Sequence, residues 1–220
     1  MAIIINPNST ASMTEAMTLE ARAAAPELTF EGWTSHLGPP AIQGPADGDL
    51  ATPPFLDLVQ QASEGSAQGI MIGCFDDTAL AQAAKLARCP VIGIGQAAYH
   101  YAALRQWRFS VVTTLAVSAP VLEGNIDRLG LAGSLARVRA SGVPVLALEQ
   151  DPDAATKAVV AEAKRAEAED GIGAVILGCA GMVKVSQAVR KALTIPVIDP
   201  VPCAAQSFLW LAHGGDGARV

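Results

Sequence analysis

Aromatic residues are scarce in this chain, and so are charge clusters, closely spaced cysteines and long apolar runs. Phe, Trp and Tyr make up only 5% of 220 residues, while Ala, Gly, Val and Ile dominate the apolar set. That balance suits closely packed parallel strands and helices and argues against a β-sandwich. The formal net charge is −6 and no Lys/Arg cluster stands out, so the chain carries no electrostatic footprint for nucleic acid or an anionic membrane. Cys74, Cys89, Cys179 and Cys203 form no CxxC pair, which excludes a zinc ribbon or disulfide frame and predicts free thiols in a reducing compartment. His36, His100 and His213 sit in no ligand-spaced pair, so no metal is expected. The apolar runs around Ile70 and Val175 are too short to span a bilayer. The start, MAIIINPNST, lacks the charged and apolar regions of a secretory signal. A cytoplasmic protein with a small-molecule partner is the expectation.

What is present is a 51% hydrophobic fraction, enough to bury a core in one large α/β domain or two small ones. Short β-branched runs ending in Gly, Asn, Pro or Thr alternate with alanine-rich segments of helical period, as in βαβ units with a parallel sheet. The pattern predicts strands at 2–6, 28–33, 69–73, 90–93, 109–113, 143–148, 174–178 and 196–199. Helices are predicted at 12–25, 54–64, 80–87, 96–106, 119–129, 154–169, 186–193 and 203–212. The tail HGGDGARV has glycine and charge without periodicity and is expected to fray.

The second half resembles the first at an offset of a little over a hundred residues. I-I-I-N-P at Asn6 answers S-V-V-T-T at Thr113, 107 residues on. G-I-M-I-G-C, ending at Cys74, answers A-V-I-L-G-C, ending at Cys179, at an offset of 105, and Pro90-Val-Ile answers Pro196-Val-Ile at 106. Two similar Rossmann-like lobes follow, each a mostly parallel four-stranded sheet flanked by helices, related by a pseudo-twofold axis. Residues 1–98 with 205–220 form the first lobe and 99–204 the second. The cleft between them is built from carboxyl ends of strands, where open α/β sheets place their ligands.

Each Gly-Cys pair falls where a strand stops and the chain turns toward a helix. Both thiols should therefore protrude into that cleft beside backbone N–H groups. Such donors lower a thiol pKa toward neutrality, so one cysteine can be thiolate while the other stays thiol, the state a two-base racemase needs. The carbanion formed next to a carbonyl must be held as an enolate. Candidate donors are the backbone amides of Phe75, Asp76, Ala180 and Gly181, the hydroxyls of Thr113 or Thr114 and the amide of Asn6. Gly73 and Gly178 would let a ligand approach the backbone closely.

The ordered segments N-P-N-S-T-A-S-M-T from Asn6, C-F-D-D from Cys74, F-S-V-V-T-T-L from Phe109, L-E-Q-D-P from Leu148 and L-G-C-A-G-M from Leu177 resemble hydantoin racemases of the aspartate/glutamate racemase superfamily. The resemblance covers nearly the whole chain. It implies interconversion of D- and L-5-monosubstituted hydantoins without metal or other cofactor, Cys74 and Cys179 as the two catalytic cysteines, and a homo-oligomer, whether dimer, tetramer or hexamer. It also implies that the N-P-N segment, C-F-D-D, the Thr pair and C-A-G-M through Met182 line the site. Thr78-Ala79 departs from the family's usual Pro-Gly at that place. Allantoin racemases share nearly the same motifs, so the heterocycle stays open.

Other readings attach to the same residues. Cys89 and Cys203 read as core thiols. Asp76 or Asp77 can cap a helix, the amides of Asn6 and Asn8 can shape a turn, and Thr113 and Thr114 suit a strand anyway. Ile42 and Gln43, after Pro39-Pro40 in a long loop, can cover a pocket. At the level of function, a decarboxylase or cis–trans isomerase on the same scaffold is a more distant rival, of which the decarboxylase needs only one protonating cysteine, and in a small-molecule-binding or thiol redox-sensing protein the pair would merely oxidise.

Overall fold

A computed structural model describes residues 1–65 and 67–214, with side chains through residue 211. The glycine-rich tail from residue 215 and the side chain of His213 lie outside the described residues. The first half runs β1 (Ala2–Asn6), α1 (Ala11–Ala24), β2 (Phe30–Thr34), α2 (Pro45–Glu64), β3 (Gly69–Ile72), α3 (Leu80–Leu86), β4 (Val91–Gly93) and α4 (Ile94–Leu104). The second continues with β5 (Phe109–Thr113), α5 (Ala119–Arg128), β6 (Leu135–Ala140), α6 (Ala147–Gln150), α7 (Pro152–Glu169), β7 (Ala174–Gly178), α8 (Ser186–Ala192), β8 (Val197–Ile198) and α9 (Pro200–Gly214).

Two four-stranded sheets result, in the orders β2-β1-β3-β4 and β6-β5-β7-β8, with every pairing parallel. The repeated order is what the internal repeat anticipates. In each sheet the chain first crosses one way, from the central strand to the edge, and then returns to the other side. That reversal opens a crevice at the carboxyl ends of β1 and β3, and of β5 and β7. The central strands β1, β5 and β7 are buried along their whole length, because helices cover both faces.

One hydrophobic core runs through both halves, joining Ile4 and Met71 of the first sheet to Val111 and Ile176 of the second through Tyr99, Phe75 and Phe208. Helices α4 and α9 pack against each other and both reach β7, so the helices that follow the two Pro-Val-Ile strands lie where the lobes meet. Phe75 meets Tyr99 edge-on at 5.4 Å, and Tyr99 stacks on Phe109 at 6.0 Å. The Tyr99 hydroxyl is buried without a hydrogen-bond partner, and burial, with Asp77 and Asp76 nearby, pushes its pKa well up. An orphaned buried hydroxyl costs stability. Tyr99→Phe is expected to raise the unfolding free energy by about 1 kcal/mol, read by urea denaturation; an equal loss would show that the hydroxyl has a partner.

Two expectations are corrected. The strand expected at 143–148 is not one: that segment is a turn leading into α6, and the fourth strand of the second sheet is β6, at Leu135–Ala140. Its L-A-R-V-R-A sequence does not read as a buried apolar run because it is an edge strand carrying Arg137 and Arg139. Val143, Val145 and Leu148 are apolar because they pack over the second lobe and the cleft. The helix expected at 54–64 starts at Pro45, and Pro53 and Pro54 lie inside it. Pro45 at the first helical position and Asp47 in the first turn are valid start signals, but the internal prolines, which remove helix hydrogen bonds, conceal them. Among the described residues no helix is long and apolar enough to cross a membrane.

Candidate active site

Cys74 follows β3 and Cys179 follows β7, each one residue past a glycine at the carboxyl end of its strand. Both line a single small cavity of about 40 Å³. Its walls include Ile42, Phe75, Asp76, Thr113, Thr114, Ala180 and Gly181, together with Asn8, Met13, Gly44, Ser118, Val121, Leu122 and Val145. Asp76 is the one charged side chain on this wall among the described residues, and no cation faces it.

Asn6 and Met182 stand behind the wall. Asn6 is fully buried, and its side-chain N–H group donates to Asn8 Oδ1 at 3.0 Å and Thr14 Oγ1 at 3.0 Å. In return the Asn8 backbone N–H donates to Asn6 Oδ1 at 3.1 Å. Asn6 thus fixes the turn, and Asn8 is the amide that reaches the cavity. Met182 packs into the second lobe's core with Leu148, Val159 and Val185. Ser118, Asn8, Val121 and Val145 are wall residues that sequence reasoning missed or took for turn and strand.

The two cysteine loops are locked differently. Asp77 accepts from the backbone N–H groups of Gly95 at 2.9 Å and Gln96 at 2.7 Å, capping α4; burial pushes its carboxyl pKa well up against those two donors. Asp76 Oδ1 accepts from the Thr78 N–H at 3.1 Å and hydroxyl at 2.5 Å, so Thr78, where the family pattern has Pro, holds the carboxylate. Asn125 on α5 reaches from the second lobe to donate to the Asp76 carbonyl at 2.6 Å. Opposite, the loop before α2 crosses the cleft: Gln43 Oε1 accepts from the Val145 N–H at 2.8 Å, and Ile42 is buried beneath it.

The glycines before the cysteines have a packing reason. A Cβ on Gly178 would lie 2.9 Å from Thr113 Cβ, and one on Gly73 would lie 2.9 Å from Met17 Cε. Neighbouring side chains, rather than ligand, occupy that space. Thr113 is engaged as well, its hydroxyl donating to the Gly178 carbonyl at 2.9 Å. The Thr114 hydroxyl makes no hydrogen bond within the described residues and lines the cavity.

Thiol acidity differs from the expectation. Burial pushes the Cys179 thiol up to about 11, with the backbone N–H groups of Gly181 and Met182 pulling the other way. Cys74 is pushed well above the usual thiol range, first by burial and then by the carboxylate of Asp76. Desolvation disfavours the charged form more than one or two amide donors favour it. Each thiol also feels the Asp76 charge, and Cys74 that of Cys179, so the three groups share one electrostatic site. Cys89 and Cys203 lie elsewhere; Cys203 donates to the Ala97 carbonyl at 3.5 Å between α9 and α4. Among the described residues no group of three or more His, Cys, Asp or Glu is placed to hold a metal.

A paired-lobe α/β fold with a cysteine at the same place in each lobe, both facing one cavity, defines a racemase-type scaffold. The profile of the Asp/Glu/Hydantoin racemase family matches residues 3–208, and the chain belongs to that family. It is 41% identical to the hydantoin racemase of Rhizobium meliloti over 213 residues, 92% of this chain and 85% of that protein. It is 33% identical to the hydantoin racemase of Pseudomonas sp. (strain NS671), over 90% and 80% of the two chains. The solved structure of an allantoin racemase from Klebsiella pneumoniae superposes with a TM-score of 0.92 at 36% identity, covering 97% of this chain and 88% of that one. The protein is a racemase of this family.

Proposed function

We propose that this racemase interconverts the enantiomers of 5-monosubstituted hydantoins without a cofactor, with Cys74 and Cys179 as the two bases. The observation that carries the reading is the convergence of both thiols on one cavity from equivalent positions in the two lobes. The absence of a cationic side chain from the described wall supports a neutral ring over an amino acid, whose carboxylate would call for a countercharge. The 41% identity to a hydantoin racemase favours hydantoins, and the 36% identity and shared fold of an allantoin racemase make allantoin the second substrate to assay.

The proton path follows from the two environments. Cys179, with two amide donors on its sulfur, is the thiol that ionises first; Cys74, beside Asp76, keeps its proton. The Cys179 thiolate takes the C5 proton from one face of the ring, and the bonding pair moves into the adjacent carbonyl, whose oxygen becomes an enolate. The Thr114 hydroxyl and the backbone N–H groups of Phe75 and Ala180 are the donors for that oxygen. Cys74 then delivers its proton to the opposite face and becomes the thiolate. The other enantiomer runs the same steps from Cys74 to Cys179, and proton exchange with solvent restores the resting state.

Raised thiol pKa values set the pH dependence. Thiolate is scarce at neutrality and its fraction rises toward the Cys179 value of about 11. The rate constant kcat/KM is therefore expected to rise about tenfold per pH unit through the neutral and mildly alkaline range. Circular dichroism of a pure hydantoin enantiomer, followed with and without protein from pH 6 to 9, tests both points. Decay of the signal to zero is the expected result; an unchanged signal overturns racemization, and a plateau beginning below neutrality overturns the resting thiol pair.

We place the enzyme in the cytoplasm, where its four free cysteines stay reduced. We further read it as a homo-oligomer. Leu104 and Trp210, 73% and 69% exposed, flank one apolar groove between α4 and α9, a face that self-association would cover.

A further inference from the structure

Beside the thiol cavity lies a second, larger one of about 750 Å³, and the two share Gly44, Asp76 and Val121. The first holds roughly three waters' worth of space, enough for part of a ring and not for a long substituent. The second runs between the amino-terminal turns of α2, the start of α3 and α5. A group attached to a ring held between Cys74 and Cys179 therefore has its exit past Asp76.

Asp76 is turned toward that exit. Its Oδ1 is tied to Thr78, whereas Oδ2 points at α2, 3.8 Å from where a Cβ on Gly48 would stand. Gly48 carries no side chain to fill the passage. Along the second wall Asp49 adds a further carboxylate, and Asp77 is engaged by the amides of α4. The cation of this wall, Arg128, donates to Asn125 Oδ1. The passage out of the reaction cavity thus presents the Asp76 carboxylate, which also meets the Cys74 thiol, and room beyond it.

We propose that the second cavity receives the C5 substituent and that Asp76 makes the enzyme favour substituents ending in a cation, such as an aminoalkyl or guanidinoalkyl chain. The inference rests on the two-thiol reading of the first cavity and adds the class of substituent. An ammonium at the end of a four-carbon chain clears the ring and meets Asp76 Oδ2 or Asp49 without entering the apolar part of the first cavity.

The test compares kcat/KM for 5-methylhydantoin, 5-(4-aminobutyl)hydantoin, 5-pentylhydantoin and 5-(3-carboxypropyl)hydantoin in the wild-type enzyme. The expected order places the ammonium above the neutral chain and the carboxylate last. The ammonium-to-carboxylate ratio should be of the order of tenfold, carried by KM and shrinking with added salt. Asp76→Asn should bring that ratio to within about twofold; because one protein is read with both substrates, any effect on Cys74 cancels. Racemization of all four with no charge preference, a preference for the carboxylate, or a ratio unchanged in Asp76→Asn overturns the inference and leaves the racemase intact. Failure to racemize any of the four overturns the function itself, and this inference with it.

Discussion

Cys74→Ser and Cys179→Ser are each expected to lower racemization by about 10²–10⁴-fold, as measured by loss of circular dichroism from either pure enantiomer. A serine hydroxyl is a slightly smaller group that still hydrogen-bonds but ionises far less readily than the thiol, so one face of the ring loses its base. The remaining thiol still touches the opposite face. In Cys179→Ser, Cys74 can remove the C5 proton of one enantiomer and return a solvent-derived one from the same side. In deuterated buffer that enantiomer should lose its C5 proton NMR signal while its dichroism persists, and the other should do neither. Cys74→Ser should show the mirror result. Exchange without inversion, opposite in sense for the two variants, distinguishes two bases from one base and from a protein that only binds. If both single variants racemize at the wild-type rate, neither thiol is a base.

This pairing was legible in the sequence because the repeat marks both cysteines at once. The same repeat contains a signal that local pattern reading overrode. Carrying Phe30–Thr34 forward by 106 residues lands on 136–140, inside β6. Apolar content instead favoured 143–148, whose Val145 lines the cavity and whose Leu148 packs into the second core. Pocket walls and strands are both apolar, and composition alone does not separate them. Electrostatics was less legible still. A strand end with nearby N–H groups suggests an acidic thiol, but the depth of burial around Cys74 and Cys179 and the carboxylate of Asp76 depend on both lobes closing together. Asn6 shows the same limit in reverse: the motif points to the right turn, and only three-dimensional hydrogen bonding reveals that Asn8 faces the cavity.

Arg139→Ala is expected to destabilise the fold by about 3–5 kcal/mol. Arg139 lies on the edge strand β6 with its side chain 3% exposed, facing Asp170, whose side chain is 2% exposed. The guanidinium grips that carboxylate with two donors, Nη2 to Oδ1 at 2.6 Å and Nε to Oδ2 at 2.7 Å. It also reaches Glu162 at 3.1 Å and Glu169 at 2.7 Å. Ser110 adds a hydroxyl to Asp170 at 2.7 Å, binding β5, β6 and the end of α7 together. Removing the arginine leaves Asp170 buried with the Ser110 hydroxyl and the largely exposed Arg137, 3.8 Å away. The cost comes from that stranded charge more than from the lost attraction. An Arg139→Met, Asp170→Leu double variant should therefore be more stable than the sum of its single variants implies. The hydrogen bonds from Arg139 hold the Asp170 carboxyl below the usual carboxylate range. Their stabilisation is present above the ordinary aspartate pKa and is lost as pH falls through the lowered folded value. Urea unfolding at pH 7 and pH 3 should accordingly show a large wild-type advantage over Arg139→Ala at the first and a smaller one at the second. A pH-independent difference would mean that the arginine acts through packing alone. Because β6 leads directly into Ser141, whose hydroxyl donates to the Thr113 carbonyl at 3.0 Å, and into Gly142, whose N–H donates to the Thr114 carbonyl at 2.9 Å, this cluster also anchors the strand end that backs the threonine pair. Activity per folded molecule should survive the substitution at low temperature, and thermal inactivation should come earlier.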